Sequence, residues 1–262
     1  MYSREKRCSI KEKKTLNVHS LFSVVEIEVN SRCNLKCNYC PSSILPLDGI
    51  PEYMRVEVFS RLLDELVRIG FSGRLSYHFY NEPLLRHDLE MLVSQVSDRL
   101  PEAYQLLFTN GVLLTNKRYH SLLEAGLDSF VVTSHNNKLL PEREFQKVIL
   151  PTELILTNRG GTMFTLDKSL DRPCYAPDEM LIVTCTGDVL LCFEDAKRNH
   201  IMGNIMEKSL EEIWFSSRFA SIRNLLKDGK RNEASSICKN CNNTDYTEPD
   251  KTYMIITKND LE

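Results

Sequence analysis

The chain has 262 residues, 42% hydrophobic and 26% charged, with a net charge of −3. That is enough for one large core, or one core with a small appendage, and it lacks the basic excess of a nucleic-acid binder. No apolar run approaches the ~18 residues of a membrane span and no signal-peptide core opens the chain, so the default expectation is a cytoplasmic protein with no membrane partner.

Residues 1–20 form a basic lead-in, with Arg4, Lys6, Arg7, Lys11, Lys13 and Lys14 against Glu5 and Glu12, and read as a solvated, flexible segment. Alternation then predicts a strand over 24–29. Phe59, Leu62, Leu63, Leu66 and Val67 recur at helical spacing, with Gly70 closing that helix. A strand follows over 75–79, and then a helix marked by Leu89, Leu92, Val93 and Val96 that stops before Pro101. Next come a strand over 105–108, a helix over 117–123 ended by Gly126, and strands over 130–132 and 154–156. Strand–helix alternation of this kind predicts a parallel sheet with crossover helices, and about five strands suit a partial α/β barrel better than a closed one.

The pattern changes near Leu166. Strands over 181–186 and 189–193 flank Gly187–Asp188, a short hairpin signal. A two-residue turn there pairs Cys185 with Leu190 and Val183 with Cys192, which makes Cys185 and Cys192 diagonal neighbours on one face. Ser209 with Glu212 forms a capping box that opens one helix through Leu225. Residues 247–262 read as a loose tail.

Each predicted parallel strand delivers polar or sulfur groups at its C-terminal end: Asn30, Arg32 and Cys33; Tyr80, Asn81 and Glu82; Thr109 and Asn110; Thr133, Ser134 and His135; Thr157, Asn158 and Arg159. Five such ends suggest one lined mouth. His78 and His135 read as satisfied core histidines rather than catalysts.

Nine cysteines, odd in number and in tight spacing, point to metal binding rather than disulfides. The sharpest signal is CNLKCNYC, in which Cys33, Cys37 and Cys40 make a CxxxCxxC triplet. Three thiolates within eight residues can wrap a 4Fe–4S cubane and leave its fourth iron open, as a catalytic site needs. A zinc loop and three unrelated cysteines are the alternatives. Cys174, Cys192, Cys238 and Cys241 form a second set that a structural zinc ion would also suit. Cys185 can be a ligand, a hydrogen donor or core packing.

A CxxxCxxC after the first strand of a partial barrel, with an aromatic residue (Tyr39) before the last cysteine, resembles the radical S-adenosylmethionine superfamily. That resemblance implies an S-adenosylmethionine chelating the open iron and releasing, on reduction, a 5′-deoxyadenosyl radical that abstracts hydrogen from a small-molecule substrate. The electron comes from a donor such as flavodoxin or ferredoxin. Where the superfamily usually has Gly-Gly-Glu-Pro this chain has Tyr80-Asn81-Glu82-Pro83, in which Glu82 and Pro83 match and both glycines are replaced. Asn81 keeps the turn if it adopts a left-handed backbone. Tyr39, Asn81, Glu82, Thr109, Asn110 and Ser134 are then the expected cofactor-binding residues.

The second cysteine set resembles the superfamily's twitch appendage, which holds one auxiliary 4Fe–4S cluster. The implied organisation is a radical S-adenosylmethionine partial barrel over 21–165, a twitch domain over 166–246 and a tail over 247–262.

Longer strings, among them FSVVEIEVNSRCNLKCNYCP, GRLSYHFYNEPLL, LILTNRGG and GDVLLCFEDA, resemble the 2-deoxy-scyllo-inosamine dehydrogenase branch of that superfamily. It oxidises a secondary alcohol of an aminocyclitol to a ketone. The resemblance implies that Arg159 contacts the substrate hydroxyl, that Glu194 holds a substrate ammonium or accepts the proton, and that Phe193 shapes the pocket. The remaining readings are an epimerase with Cys185 returning hydrogen, a peptide-modifying enzyme and a zinc-binding interaction protein. The short lead-in argues against the leader-recognition domain that peptide modification often uses.

Overall fold

The computed structural model describes residues 21–135, 141–154 and 156–249. The basic lead-in and most of the expected tail lie outside the described residues. Strands β1 (Val24–Ile27), β2 (Arg74–Ser76), β3 (Tyr104–Thr109) and β4 (Ser129–Thr133) alternate with helices α1 (Val56–Arg68), α2 (Leu89–Arg99) and α3 (Asn116–Glu124). After β5 (Gln146–Ile149) come α4 (Ala176–Glu179), β6 (Met180–Val183), β7 (Asp188–Leu190), β8 (Ile201–Asn204), α5 (Leu210–Trp214), α6 (Ser217–Lys227), α7 (Arg231–Ala234) and α8 (Ser236–Asn240).

All eight strands join one sheet in the order β5-β4-β3-β2-β1-β6-β7-β8. The first six are mutually parallel, and β7 and β8 are antiparallel additions. The expected α/β class with a C-terminal hairpin is therefore found, and β6 joins the parallel part directly beside β1.

Register assigns the two faces. Val24 pairs with Arg74 and Met180, Glu26 with Ser76 and Ile182, and Ser76 with Leu106, while Phe108 pairs with Val131. Alternation therefore puts Glu26, Arg74, Ser76, His78, Phe108 and Met180 on one face. The other face carries Val25, Ile27, Leu75, Leu107 and Val132. They are buried in one apolar cluster with Phe59, Leu62, Leu63 and Leu66 of α1, Leu92, Val93 and Val96 of α2, and Leu122 of α3. Gln105 on this face donates through Nε2 to Val93 O and Ser97 Oγ of α2, at 3.3 and 2.7 Å. The helices thus cover one face, and the other is free to build a site.

Three expectations are corrected. Neither Leu154 nor Leu156 lies in a strand: among the described residues the fifth parallel strand is β5, upstream, whose Gln146 and Val148 pair with Phe130 and Val132. As an edge strand with one neighbour, β5 is only half-buried and carries two apolar residues among four, so its hydrophobic signal is weak. Leu156 is 45% exposed. The helix expected from Ser209 through Leu225 is two helices. The Ser209–Glu212 capping box opens α5 as predicted, and Ser216, whose Oγ accepts from Phe219 N at 3.4 Å, starts α6 afresh.

The hairpin register also differs by three residues. Ile182 pairs with Leu190 and Val183 with Val189. Thr184 N donates to Asp188 O and Gly187 N to Thr184 O, both at 2.9 Å, with Gly187 at φ 86°. This is a three-residue loop ending in a left-handed glycine. Thr184 Oγ1, accepting from Asp188 N at 3.1 Å, stabilises it over the two-residue turn. Cys185 therefore sits in the loop, with Sγ 3.6 Å from Pro51 O, and is not a strand neighbour of Cys192.

Candidate active site

The CxxxCxxC segment is the loop that leaves β1, and hydrogen bonds from the backbone and the Asn30 side chain tie it to the loop leaving β2. Glu82 N donates to Arg32 O (2.8 Å), Asn30 Nδ2 to Glu82 O (2.9 Å) and Arg32 N to Asn30 Oδ1 (2.9 Å). Cys33, Cys37 and Cys40 line one side of a cavity of about 150 Å³, opposite Asn81, Glu82, Thr109, Asn110, Thr133 and His135. Polar groups face the sulfurs: Leu35 N and Asn110 Nδ2 lie 3.5 and 3.9 Å from Cys33 Sγ, and His135 Nδ1 lies 3.6 Å from Cys37 Sγ. Burial raises the pKa of the Cys33 and Cys37 thiols, and it pushes Tyr39, whose hydroxyl meets His135 Nδ1, up to about 12.

Glu82 is almost fully buried and caps the 3-10 turn Pro83–Leu85. Its Oε1 accepts from Leu84 N (3.0 Å) and Thr109 Oγ1 (2.7 Å), and its Oε2 accepts from Asn110 N (2.8 Å). Burial raises its pKa against the pull of these donors. Asn81 does not adopt the left-handed backbone expected of a glycine substitute. Among the described non-glycine residues only Arg159 (φ 51°) and Arg198 (φ 56°) have positive φ. The turn closes instead through Asn81 Oδ1, which accepts from Phe79 N at 2.7 Å, and this leaves Asn81 Nδ2 buried without a partner at the cavity wall. Ser134 is buried beneath the strand end, with its N–H on Ile149 O (2.9 Å). Its neighbours Thr133 and His135 reach the cavity instead.

Cys174, Cys192, Cys238 and Cys241 line a single second cavity with Phe193, Glu194, Arg231, Asn243 and Tyr246. The four come from the segment before α4, the turn after β7, α8 and the residue after α8. Arg231, buried and absent from the expected site, holds this frame together. It donates from Nε to Arg172 O (2.9 Å), from Nη1 to Asn243 O (2.8 Å) and from Nη2 to Pro173 O (3.0 Å). Burial pushes Cys238 and Cys241 up to about 12 and Cys192 well above the ordinary thiol value. The frame thus concentrates four soft sulfur donors where a bare thiolate would be costly and a cluster's positive iron would offset that cost. Among the described residues no three His, Cys, Asp or Glu side chains converge closely enough for one metal ion.

Between the two cysteine groups lies a central cavity of about 340 Å³. Tyr39, Cys40, His78 and Phe108 join it to the first group; Phe193, Asn243 and Tyr246 join it to the second; Glu26, Thr157 and Arg159 complete its wall. Arg159 lies over the Tyr80 ring at 5.7 Å, with Nε buried and unpartnered. Burial opposes its charge, yet Tyr80, Glu194, Cys40 and Tyr246 around it hold its pKa above the ordinary value. Tyr80 in turn donates to Phe193 O at 2.8 Å.

Glu194 faces the four-cysteine cavity, where its carboxylate accepts from Thr157 Oγ1 and Asn243 Nδ2, both at 3.0 Å. It stands behind the central wall and braces two of its residues. The expected strand end 157–159 is a loop, held to the end of α8 by Asn158 N to Asn242 Oδ1 (2.8 Å) and Asn158 Nδ2 to Asn240 O (2.6 Å).

His78, read from sequence as a satisfied core residue, lines both the central and the first cavity, and its Nδ1 is buried without a partner. The sequence reading missed it and Glu26. Strict alternation along VEIEV, which puts an acid on the inner face of a central strand, was the available signal.

Comparison with known proteins accords with this arrangement. Residues 27–135 match the radical SAM superfamily, and residues 174–242 match its iron–sulfur cluster-binding SPASM domain. The chain is 37% identical over 249 residues to the S-adenosyl-L-methionine-dependent 2-deoxy-scyllo-inosamine dehydrogenase of Niallia circulans, covering 90% of this chain and 99% of that protein. It superimposes on the crystal structure of BtrN in complex with AdoMet and 2-DOIA with a TM-score of 0.81. That match has 36% identity and covers 87% of this chain and 96% of the other. The TM-score with an open conformation of BtrN is 0.74, at 34% identity, covering 88% and 97%.

Proposed function

The chain belongs to the radical S-adenosylmethionine superfamily, and we propose that it is a dehydrogenase oxidising a secondary alcohol of an aminocyclitol, 2-deoxy-scyllo-inosamine or a similar amino-bearing polyol, to a ketone. The observation that carries this reading is the central cavity itself. It is closed on one side by residues of the CxxxCxxC loop and on the other by residues shared with the four-cysteine frame. A reaction that begins with hydrogen abstraction and ends with loss of a second electron needs an initiating centre and an accepting centre on either side of one substrate.

Cys33, Cys37 and Cys40 would hold the initiating 4Fe–4S cluster. Cys174, Cys192, Cys238 and Cys241 would hold the auxiliary one, in a partial barrel (21–165) and a twitch domain (166–246). With an electron from a donor such as flavodoxin or ferredoxin, the first cluster would supply hydrogen-abstracting radical chemistry from S-adenosylmethionine. Tyr39, Asn81, Thr109 and Asn110 would bind that cofactor. The unpartnered Asn81 Nδ2 is free to donate to it, and Glu82 would order the loops around it. Ser134 supports this wall from below.

On the substrate, Arg159 would donate to the hydroxyl and stabilise the oxygen as its proton leaves, because a guanidinium keeps its charge and is a poor base. Phe193 would shape the pocket. Glu194 would act by fixing Thr157 and Asn243 at the wall. The hydrogen donor of the epimerase reading, Cys185, faces Pro51 O and is not among the described residues of the central wall.

Anaerobic reconstitution followed by a screen of aminocyclitols tests the proposal. The expected result is a product two daltons lighter than substrate, with 5′-deoxyadenosine released in step with it. Product of unchanged mass in ordinary water that gains one deuterium in heavy water, with no ketone formed, would instead establish an epimerase.

A further inference from the structure

The oxidation of an alcohol needs a proton acceptor in the substrate cavity, and three nearby buried acids are already engaged. Glu82 accepts three hydrogen bonds. Glu194 accepts two and faces the other cavity. Glu28 is held by Arg198 Nη2 (2.6 Å) and Cys185 N (3.0 Å).

We propose that Glu26, on the central wall beside His78, takes the hydroxyl proton of the substrate as the ketone forms. This assignment rests on the dehydrogenase reading and names the base within it.

Glu26 is placed by register. It occupies the middle of β1, on the face away from the helices, where neither sheet neighbour, Ser76 nor Ile182, competes for its carboxylate. It is 5% exposed and lines the cavity, and among the described residues it accepts no hydrogen bond. His78 Nε2 lies 3.8 Å from its Oε1. Such a carboxylate keeps its lone pairs for a ligand. His78 lies two residues beyond Ser76 on the same face, against the Phe108 ring (centroids 4.3 Å).

The charged and titratable groups that act on this pair are Arg74 from β2, Arg159 and Tyr246, and Asp245 beside Tyr246 is the second carboxylate of the same wall. Burial, with Arg74 and Arg159, drops His78 to about 3, so it stays neutral and donates rather than competing for the proton. Burial lifts Glu26 to about 7, with the two arginines pulling it back, near the value a general base needs at neutral pH. Arg159 in the same wall also disfavours the alternative role of Glu26 as a seat for the substrate ammonium.

The step balances. After hydrogen abstraction the substrate carbon is a hydroxyalkyl radical. Its O–H bond breaks and the proton passes to a Glu26 carboxylate oxygen. The second C–O bond forms, and one electron leaves to an acceptor of the iron–sulfur class.

Three enzymes are compared as holoenzymes with matched iron content and visible spectra: wild type, E26Q and E26D. Wild-type ketone formation should rise with pH through a limb near neutrality. E26Q should lose about 100-fold or more in kcat and lose that limb, while E26D should retain it at reduced rate. If E26Q cannot be loaded with iron, the E26D profile alone reads the assignment, because a shorter carboxylate that is the base must shift the limb. An E26Q enzyme with wild-type rate and profile, or loss of the limb in D245N instead, would overturn the assignment and leave the dehydrogenase reading intact. A wild type that releases 5′-deoxyadenosine with no two-dalton loss from any aminocyclitol would overturn both.

Discussion

Arg159 combines a left-handed backbone (φ 51°), a cation–π contact with Tyr80 and an unpartnered Nε at the cavity wall. Its planar fork can engage a substrate oxygen while stacking, which an ammonium on a flexible stem cannot reproduce. R159K should therefore lower kcat/KM for ketone formation by about 10–100-fold, measured by product mass against time with cluster content unchanged. At Glu26 the sign of a pH effect on stability follows from linkage. Its folded pKa of about 7 lies above the ordinary 4.5, so the folded protein binds that proton more tightly than the unfolded chain. The associated stability is present below pH 4.5 and is lost as pH rises toward 7, by about 3 kcal/mol in all. His78, lowered to about 3 from 6.5, acts with the opposite slope as pH falls below 6.5. The difference between wild type and E26Q in urea midpoints across pH 4.5–7.5 isolates the Glu26 contribution; equal slopes in the two proteins would contradict it.

Among the elements, the loop 157–161 depends on packing rather than on strand pairing. Gly161 sits at φ 88°, and a Cβ there would lie 2.7 Å from Asn240 Cβ. G161A adds left-handed strain of about 1–2 kcal/mol to a clash with α8, the helix that carries Cys238. It should loosen the four-cysteine frame. Iron after reconstitution should drop from about eight toward about four atoms per chain, read by colorimetric iron assay. The elements also show what local pattern could report. The α1 stripe, the Ser209–Glu212 box and the strands β1 to β4 were legible, because a buried face on a period of 2 or 3.6 leaves a periodic trace. β5 was misplaced because an edge strand needs few apolar residues. The hairpin register was missed because Thr184 and a left-handed Gly187 select a three-residue loop.

For the whole molecule, one continuous sheet carries both cysteine groups. β1 launches the CxxxCxxC loop, and β6 and β7, which lead to Cys192, pair on from its other edge. The two sites are therefore held at a fixed relation through main-chain hydrogen bonds, yet their ligands come from separate segments. C238A/C241A should lose the auxiliary cluster and retain the CxxxCxxC cluster. The enzyme should still release 5′-deoxyadenosine but form about 100-fold less ketone, as measured by parallel chromatography of both products. Among the described residues no helix is long and apolar enough to cross a membrane.

The CxxxCxxC triplet, the Glu82-Pro83 match and the alternation of the parallel half were determined by sequence alone, because thiolate spacing within one loop and hydrophobic period are local properties. Only the tertiary structure decided that Glu194 turns away from the central cavity while Glu26 and His78 turn into it. Strand register, set by pairing across the sheet, determines which face each side chain takes. A single-residue slip would exchange the two faces, and no local signal records it.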